Sequence, residues 1–284
     1  YEFGGDGSPS LTSNGKKMFF ASSRSDGLGN IDIYSVENNN GVWENLQNLG
    51  TKINTKKFDS HPCVSSDGKT LYFSSDREGG YGGLDIWLSQ LDNNGNWGEP
   101  VNLGPEINSS GNESSPFIAA DNVTLYFCSN GHPGYGKYDI FASRKLNGSW
   151  SKPENLGKPI NSEDNDRFPF VPATGNYVYF SSDRKGGYGK YDMYVGIPNP
   201  KPPKKVNTIA GVVNSAGDKK PLKAVIEIVN LESKESIKIE SDKNNGKYFS
   251  ILSSGSKFSI SAKAEGYNDF SEKFEIEVKD TSQE

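Results

Sequence analysis

Histidine, cysteine and methionine are nearly missing from this chain, with two of each among 284 residues. With only His61 and His132 there is no His/Cys set at metal-ligand spacing, and no Gly-x-Ser-x-Gly elbow occurs either. Zinc chemistry and hydrolase-type nucleophilic catalysis therefore have no support in the sequence. Long apolar runs are missing too: none approaches the ~20 residues that cross a bilayer. The opening Tyr1-Glu2-Phe3-Gly4-Gly5 lacks the features of a signal peptide, so the chain reads as processed or as part of a longer one. Positive charge is not in excess, 31 Lys plus Arg standing against 36 Asp plus Glu for a net charge of −5. Nothing in that balance draws the protein to nucleic acid or to an anionic membrane surface.

Aromatic residues make up 12 % of the chain, beside 32 glycines and 15 prolines. That mixture predicts many short strands joined by tight turns, with little helix. The length admits two domains, each able to bury a core.

An internal repeat decides the predicted architecture. Pro9, Pro62, Pro116 and Pro169 follow one another at intervals of 53, 54 and 53 residues (62 − 9, 116 − 62, 169 − 116). The same register aligns Met18 to Ser22, Leu71 to Ser75, Leu125 to Ser129 and Val178 to Ser182 as one strand. It aligns Asp32-Ile33-Tyr34, Asp85-Ile86-Trp87, Asp139-Ile140-Phe141 and Asp192-Met193-Tyr194 as the next. An outer strand reads Trp43 to Leu49, Trp97 to Leu103 and Trp150 to Leu156, which puts the three tryptophans at equivalent positions. A four-stranded meander of this size cannot bury both faces alone, and packing such sheets radially around a channel is the usual solution. The expected fold is thus all-β, a β-propeller with four blades visible over residues 1–198. Cys63 and Cys128 sit at different positions of different repeats, which argues against a disulfide framework and leaves the redox compartment open.

The fourth unit has no Trp strand: after Tyr194 the chain runs into Gly196-Ile197-Pro198-Asn199-Pro200. Residues upstream of Tyr1 are expected to complete the ring, within a longer parent protein. Residues 199–206 form a Pro-rich linker, because clustered prolines lack N–H donors and favour an extended conformation. Beyond it, six short strands between Thr208 and Val278, with turns near Ser215 to Asp218 and Asn244 to Gly246, predict a small Ig-like or prealbumin-like β-sandwich over 207–284 that folds independently.

The segment Pro62, Ser66 to Lys69, Leu71 to Arg77, Gly79 to Gly82 and Asp85 to Trp87 resembles the PD40 or WD40-like propeller repeat of the TolB type, and four copies cover about residues 8 to 196. The third copy departs from it, with Asp121-Asn122-Val123 and Asn130-Gly131 where Asp-Gly-Lys and Asp-Arg are expected; the fourth has Thr174-Gly175-Asn176. Residues 207–278 look like a carboxypeptidase regulatory-like domain, through Gly211 to Val213, Pro221 to Ala224, Asn245 to Tyr248 and Ala264 to Tyr267. This succession, with Asn102-Leu103-Gly104 and Ile107-Asn108 as punctuation after each outer strand, resembles OmpA-family envelope proteins of Bacteroidota, of which the PorE-like proteins of type IX secretion are one group. The resemblance implies a periplasmic, outer-membrane-associated protein that reaches peptidoglycan only through a domain absent from this chain.

The candidate binding face gathers the loops between second and third strands, residues 76–83, 130–137 and 183–190, with the loops that carry Asp59, Glu113, Asp164 and Asp166. Arg77 and Arg184 with Tyr81, Tyr135 and Tyr188 compose a surface suited to proteins or peptides, and these five residues are expected to be accessible. Asp32, Asp85, Asp139 and Asp192 recur in every repeat and are expected to hold the loops by accepting backbone N–H bonds. Asp164 and Asp166 with nearby carbonyls offer oxygens to calcium, but their spacing follows no known loop; no cofactor is otherwise called for. The function expected is a non-enzymatic envelope scaffold or protein-interaction module. The alternative is the gating propeller of a peptidase or a TolB-like periplasmic binding protein. Carbohydrate binding through Tyr248 and Tyr267 is the weaker third reading, since both are better placed as core or turn residues.

Overall fold

Every regular element in the computed structural model is a β-strand among the described residues, which are 5 to 277 apart from positions 93 and 235. The chain divides into two compact units, Tyr1–Pro203 and Lys204–Glu284.

In the first unit the repeat produces four antiparallel meanders in series. The first sheet contains β1 (Asp6–Leu11), β2 (Lys17–Ser22), β3 (Asp32–Asn39) and β4 (Val42–Asn48) in that order. The second contains β5 (Asp59–Val64), β6 (Thr70–Ser75), β7 (Asp85–Gln90) and β8 (Val101–Asn102). In the third, β9 (Glu113–Ile118), β10 (Thr124–Ser129) and β11 (Asp139–Leu146) are followed by two short pieces, β12 (Ser149–Trp150) and β13 (Glu154–Asn155), both paired with β11. The fourth has only β14 (Asp166–Phe170), β15 (Val178–Ser182) and β16 (Asp192–Gly196). These sheets do not close into a ring.

The outer strand shows what one proline does. WENLQNL, without proline, makes the continuous β4, whereas Pro100 and Pro153 interrupt the equivalent stretches and leave short pairings on either side, because proline has no N–H for the ladder. The inner strands bend at their repeated X-Pro step. Ser8, His61, Ser115 and Phe168, each just before the proline, adopt φ of 50°, 51°, 52° and 57°, and the pairing register of each inner strand shifts there. The bulge lets Pro sit in a paired strand without orphaning a partner.

The second strands β6 and β10 are buried on both faces, which is why they read as continuous apolar runs, whereas β15 leaves Tyr179 exposed. Phe19 and Ile33 of the first sheet pack on Val64, Leu71, Phe73 and Trp87 of the second. The next junctions join Tyr72 and Ile86 to Ile118, Leu125 and Phe127, then Tyr126 and Ile140 to Val171, Val178 and Phe180. Each junction is plugged from one end by an isoleucine of the loop leaving the outer strand: Ile53, Ile107 and Ile160 are buried there. Two of the tryptophans play one role: Trp97 meets Phe19 edge-on at 5.8 Å and Trp150 meets Tyr72 edge-on at 6.3 Å, each reaching back onto the preceding sheet. Trp43 has no such ring partner among the described residues.

The stretch expected to be a free spacer is docked over its first half. Asn199 is buried; its amide donates to the Tyr126 hydroxyl at 3.0 Å and to Gly175 O at 3.0 Å, while Tyr126 Oη donates to Lys201 O at 2.6 Å. The unit boundary falls after Pro203, five residues beyond residue 198, where the propeller pattern ends in sequence. A tyrosine hydroxyl buried in the junction needs partners, and Asn199 and Lys201 supply them.

The second unit pairs β17 (Val206–Val212) with β20 (Lys247–Ser253), and packs them on a four-stranded sheet ordered β19 (Ser236–Glu240), β18 (Val225–Asn230), β21 (Ser256–Lys263), β22 (Phe270–Ile276). Ile226, Ile228, Leu252 and Phe258 form the centre of its core. Val278, the expected end of the last strand, lies outside the described residues.

Within the first unit, buried asparagines tie each loop to its sheet. Asn108 Oδ1 accepts Ile86 N–H at 2.8 Å, and its Nδ2 donates to Ile86 O at 3.0 Å and Asn102 Oδ1 at 2.8 Å. Asn54 and Asn161 repeat the pattern on Ile33 and Ile140. Asn108→Ala strips the backbone of Ile86 of both partners in a dry junction, where each orphaned group costs about 1–3 kcal/mol. A destabilisation of about 3 kcal/mol in urea-induced unfolding is expected; an unchanged midpoint would show that water replaces the side chain.

Candidate interaction face

The loops between second and third strands are built around one carboxylate each. Asp85 accepts Tyr81 N–H at 2.6 Å and Gly82 N–H at 3.2 Å, and takes a third bond at 2.8 Å from Asn102 Nδ2 of the outer strand. Asp139 does the same with Tyr135 N, Gly136 N and Asn155 Nδ2, and Asp32 with Leu28 N, Gly29 N and Asn48 Nδ2. Asp192 holds Tyr188 N and Gly189 N, with no outer-strand asparagine beside it. All four aspartates thus hold their loops by accepting backbone N–H groups.

Gly-Tyr-Gly follows from this geometry. A Cβ on Gly80 would lie 2.5 Å from Asp85 Oδ2, and one on Gly82 would lie 2.2 Å from Gly111 O of the neighbouring loop. Both flanking positions are closed to a side chain, and the tyrosine between them is exposed. Tyr81, Tyr135 and Tyr188 are exposed, as expected for a recognition surface; Tyr135 has Lys158 Nζ over its ring at 5.6 Å.

Arg77 and Arg184 do not join them. The side chain of Arg77 is only 11 % exposed and that of Arg184 20 %, each paired with a fully buried carboxylate, Asp59 at 2.7 Å and Asp166 at 2.6 Å. Arg77 also donates to Ile53 O at 2.5 Å and Ser75 Oγ at 3.0 Å, with its guanidinium 4.7 Å from the Phe73 ring centre. Arg184 bonds Ile160 O, Pro159 O and Ser182 Oγ in the same manner and lies over Phe180 and Tyr194. The expectation of accessible arginines is corrected here: a guanidinium satisfies a buried carboxylate, a loop carbonyl and an aromatic face at once, so it turns inward.

Sequence reading missed that this slot survives where the motif breaks. In the third sheet His132 takes the place of arginine, its Nε2 2.8 Å from Ile107 O and its ring between Phe127 and Phe141. The acid partner changes as well: Glu113, fully buried, accepts Ser129 Oγ at 2.6 Å, and Ser109 N and Oγ at 2.7 Å each. In the first sheet Arg24 meets Asp6 at 2.8 Å, and that bond is the main reason the Asp6 carboxyl lies below its ordinary value. The recurrence of aromatic, Ser and acid at fixed offsets could have located the slot; nothing in a one-dimensional pattern says which way the cation turns.

Neither remaining chemical expectation gathers a site. Asp166 is committed to Arg184 and Ser162, and Asp164 lies 3.6 Å from Lys137. No group of three or more His, Cys, Asp or Glu able to hold a metal occurs among the described residues. Both cysteines are buried free thiols; Cys63 Sγ accepts Ile118 N–H at 3.3 Å. His61 lies between Phe58 and Phe168, its Nδ1 without a hydrogen-bond partner.

No protein-family model matches this chain, and no curated protein does. Solved structures similar to it include TolB from Acinetobacter baumannii (13 % identity, TM-score 0.46, covering 87 % of this chain and 57 % of that one) and the putative TolB from Agrobacterium tumefaciens (14 %, 0.46, 87 % and 90 %). An endo-arabinase from Bacteroides thetaiotaomicron is similar at 15 % identity and a TM-score of 0.45, over 96 % of this chain and 94 % of that one. The chain thus spans just over half the length of A. baumannii TolB.

Two outcomes follow from this geometry. Arg77→Ala leaves Asp59 as an uncompensated buried charge, and a loss of about 3–5 kcal/mol is expected from chemical denaturation; a loss below 1 kcal/mol would mean the slot is solvated. Burial, with repulsion from Arg167 added, pulls the His61 imidazole from 6.5 down to about 4. A folded value below the unfolded one favours the neutral ring in the native state. Its contribution is complete above pH 6.5, declines as pH falls toward about 4, and is level below that. His61→Asn, which tolerates positive φ, should flatten the slope of stability against pH in this window relative to the parent chain; equal slopes would contradict the assignment.

Proposed function

We propose that this chain is a non-enzymatic protein-interaction and scaffolding module of a bacterial cell envelope. In this reading its first unit is an open sector of a β-propeller that receives a protein partner on the long-loop face. The second is a carboxypeptidase regulatory-like spacer. Both belong to an OmpA-family, PorE-like protein on the periplasmic side of the outer membrane, associated with type IX secretion, in which peptidoglycan contact falls to a separate domain.

The observation that carries the reading is the Gly-Tyr-Gly geometry. Tyr81, Tyr135 and Tyr188 are presented at one repeated position by loops whose backbone is held by Asp85, Asp139 and Asp192, while Arg77 and Arg184 are turned inward. Rigid aromatic anchors of this kind supply contact area at small conformational cost. The absence of catalysis is part of the proposal. It is supported by where the acids and bases lie: Asp59, Glu113 and Asp166 are fully buried and bonded within their own sheet and loop, and His132 is engaged with a backbone carbonyl. The envelope location rests on the family resemblance of the repeat and of the sandwich. A peptidase-gating role demands an α/β-hydrolase segment in the same reading frame, and the scaffold role an OmpA-like one.

The double substitution Tyr81→Ala with Tyr188→Ala removes exposed rings and should shift stability by less than about 0.5 kcal/mol each. Hot-spot tyrosines contribute about 2 kcal/mol or more to binding. A partner recovered from envelope extract by the parent chain, and confirmed with the purified components, should be lost with the double variant while the thermal melt stays in place. Undiminished binding by the variant would remove this face from consideration.

A further inference from the structure

Among the described residues, three buried side-chain atoms without a hydrogen-bond partner lie at one place in the repeat. His61 Nδ1, Ser115 Oγ and Arg167 Nε all belong to the bulge that precedes the inner-strand proline. A native fold rarely buries a donor without an acceptor. Strands β5 and β14 start at Asp59 and Asp166, where loops of the candidate face end, so His61 and Arg167 stand at the inner rim of that face.

Arg167 is the odd member of its series. The equivalent positions, two residues before each proline, hold Gly7, Ser60 and Ser114, so the bulge itself does not require a guanidinium. Nor does Arg167 repeat the inward slot of Arg77 and Arg184, each of which meets a buried carboxylate and a loop carbonyl. Its guanidinium lies over the Tyr138 ring, 3.6 Å from the ring centre, and makes no ion pair among the described residues. The carboxylates of the neighbourhood are engaged elsewhere, Glu113 with Ser109 and Ser129, Asp166 with Arg184 and Ser162. A guanidinium stacked on an aromatic face keeps its in-plane N–H donors available.

His61 shares the place. Its ring packs on Phe168, the neighbour of Arg167, at 5.7 Å, and the Arg167 charge helps hold it neutral. Arg167 is turned toward the third sheet, where Tyr138 and Cys128 lie, and His61 reaches it from the second. The cluster is therefore set among three sheets of the series and not on the outer face of the first or the last. Arg167 as a whole is half-buried, which leaves the site open to solvent on one side.

We propose that Arg167, with His61 beside it, is an anion-binding site at the inner rim of the candidate face, and that it takes a carboxylate carried by the protein partner. This deepens the interaction reading given above and rests on it for the partner alone. The guanidinium offers a planar fork that a carboxylate fits with two parallel bonds, and the tyrosine ring covers one side of that fork. One cation among buried carboxylates balances a single negative charge, which favours a carboxylate over a dianionic phosphate.

The two histidines make occupancy readable by nuclear magnetic resonance. His61→Asn assigns their imidazole signals, and His132, held on Ile107 O between Phe127 and Phe141, is the internal control. Sodium acetate, compared with sodium chloride at equal ionic strength, should move the His61 signals saturably and leave those of His132 in place. The capped peptide acetyl-Gly-Glu-Gly-amide should act likewise, and its Gln counterpart should not. Arg167→Gln should abolish both responses while melting close to the parent, because no carboxylate is stranded by the change; Arg167→Lys, which keeps the charge without the fork, should weaken them. Equal movement with chloride, a response that survives Arg167→Gln, or a melt of that variant well below the parent overturns the site. A response to acetate with none to the Glu peptide overturns its assignment to a protein partner. The tyrosine variants are read out separately by partner capture, so failure of this site and failure of the interaction face are told apart.

Discussion

A carboxylate at the start of each third strand, buried in the first three sheets, is the point on which the first unit depends. Asp85 holds two backbone N–H groups of its loop and the amide of Asn102; Asn102 in turn accepts from Asn108, and Asn108 pairs both backbone groups of Ile86. One chain of bonds thus links the exposed loop, the outer strand, the loop leaving it and the third strand. Because Asn108 is anchored, Ile107 is carried into the junction as a plug, and the same holds for Ile53 and Ile160. In a dry interior, a network whose members are all satisfied both stabilises and specifies, since no single member can be lost without stranding another.

The second repeated device, a flat nitrogen-bearing group under the loops, shows that what recurs is a chemical requirement. Three sheets answer it with arginine and an aspartate; the third uses His132 and a longer acid, Glu113, which reaches serines in place of a guanidinium. In the second, third and fourth sheets a flat nitrogen-bearing group lies near two aromatic rings and bonds the carbonyl of the plug isoleucine. Arg77 and Arg184 are therefore spent on building the sheets, while Lys137, Lys185 and Lys190 of the long loops stay exposed beside the tyrosines.

Much of this was legible in one dimension, for a definable reason. A period of 53 to 54 residues repeats every physical demand four times, so the strands, the Asp at the third strand and the tryptophan positions could be read by comparing copies. Asn-Leu-Gly and Ile-Asn were visible only as punctuation, because their role lies in bonds to strands 20 or more residues away. The docking of residues 199–201 on Tyr126 was likewise hidden. Clustered prolines announce that no sheet continues, and say nothing about a buried hydroxyl some 75 residues earlier.

By itself, then, the sequence determined the all-β character, the strand boundaries near Pro and Gly, and the loop-holding role of the aspartates, since these follow from local chemistry repeated at fixed spacing. Only the tertiary structure decided which side chains of the loops face water. Arginine and tyrosine in one loop look equally suited to a surface. What separates them is a carboxylate 18 residues before Arg77, brought within 2.7 Å by strand pairing, which turns the guanidinium inward while the Tyr81 ring is left exposed.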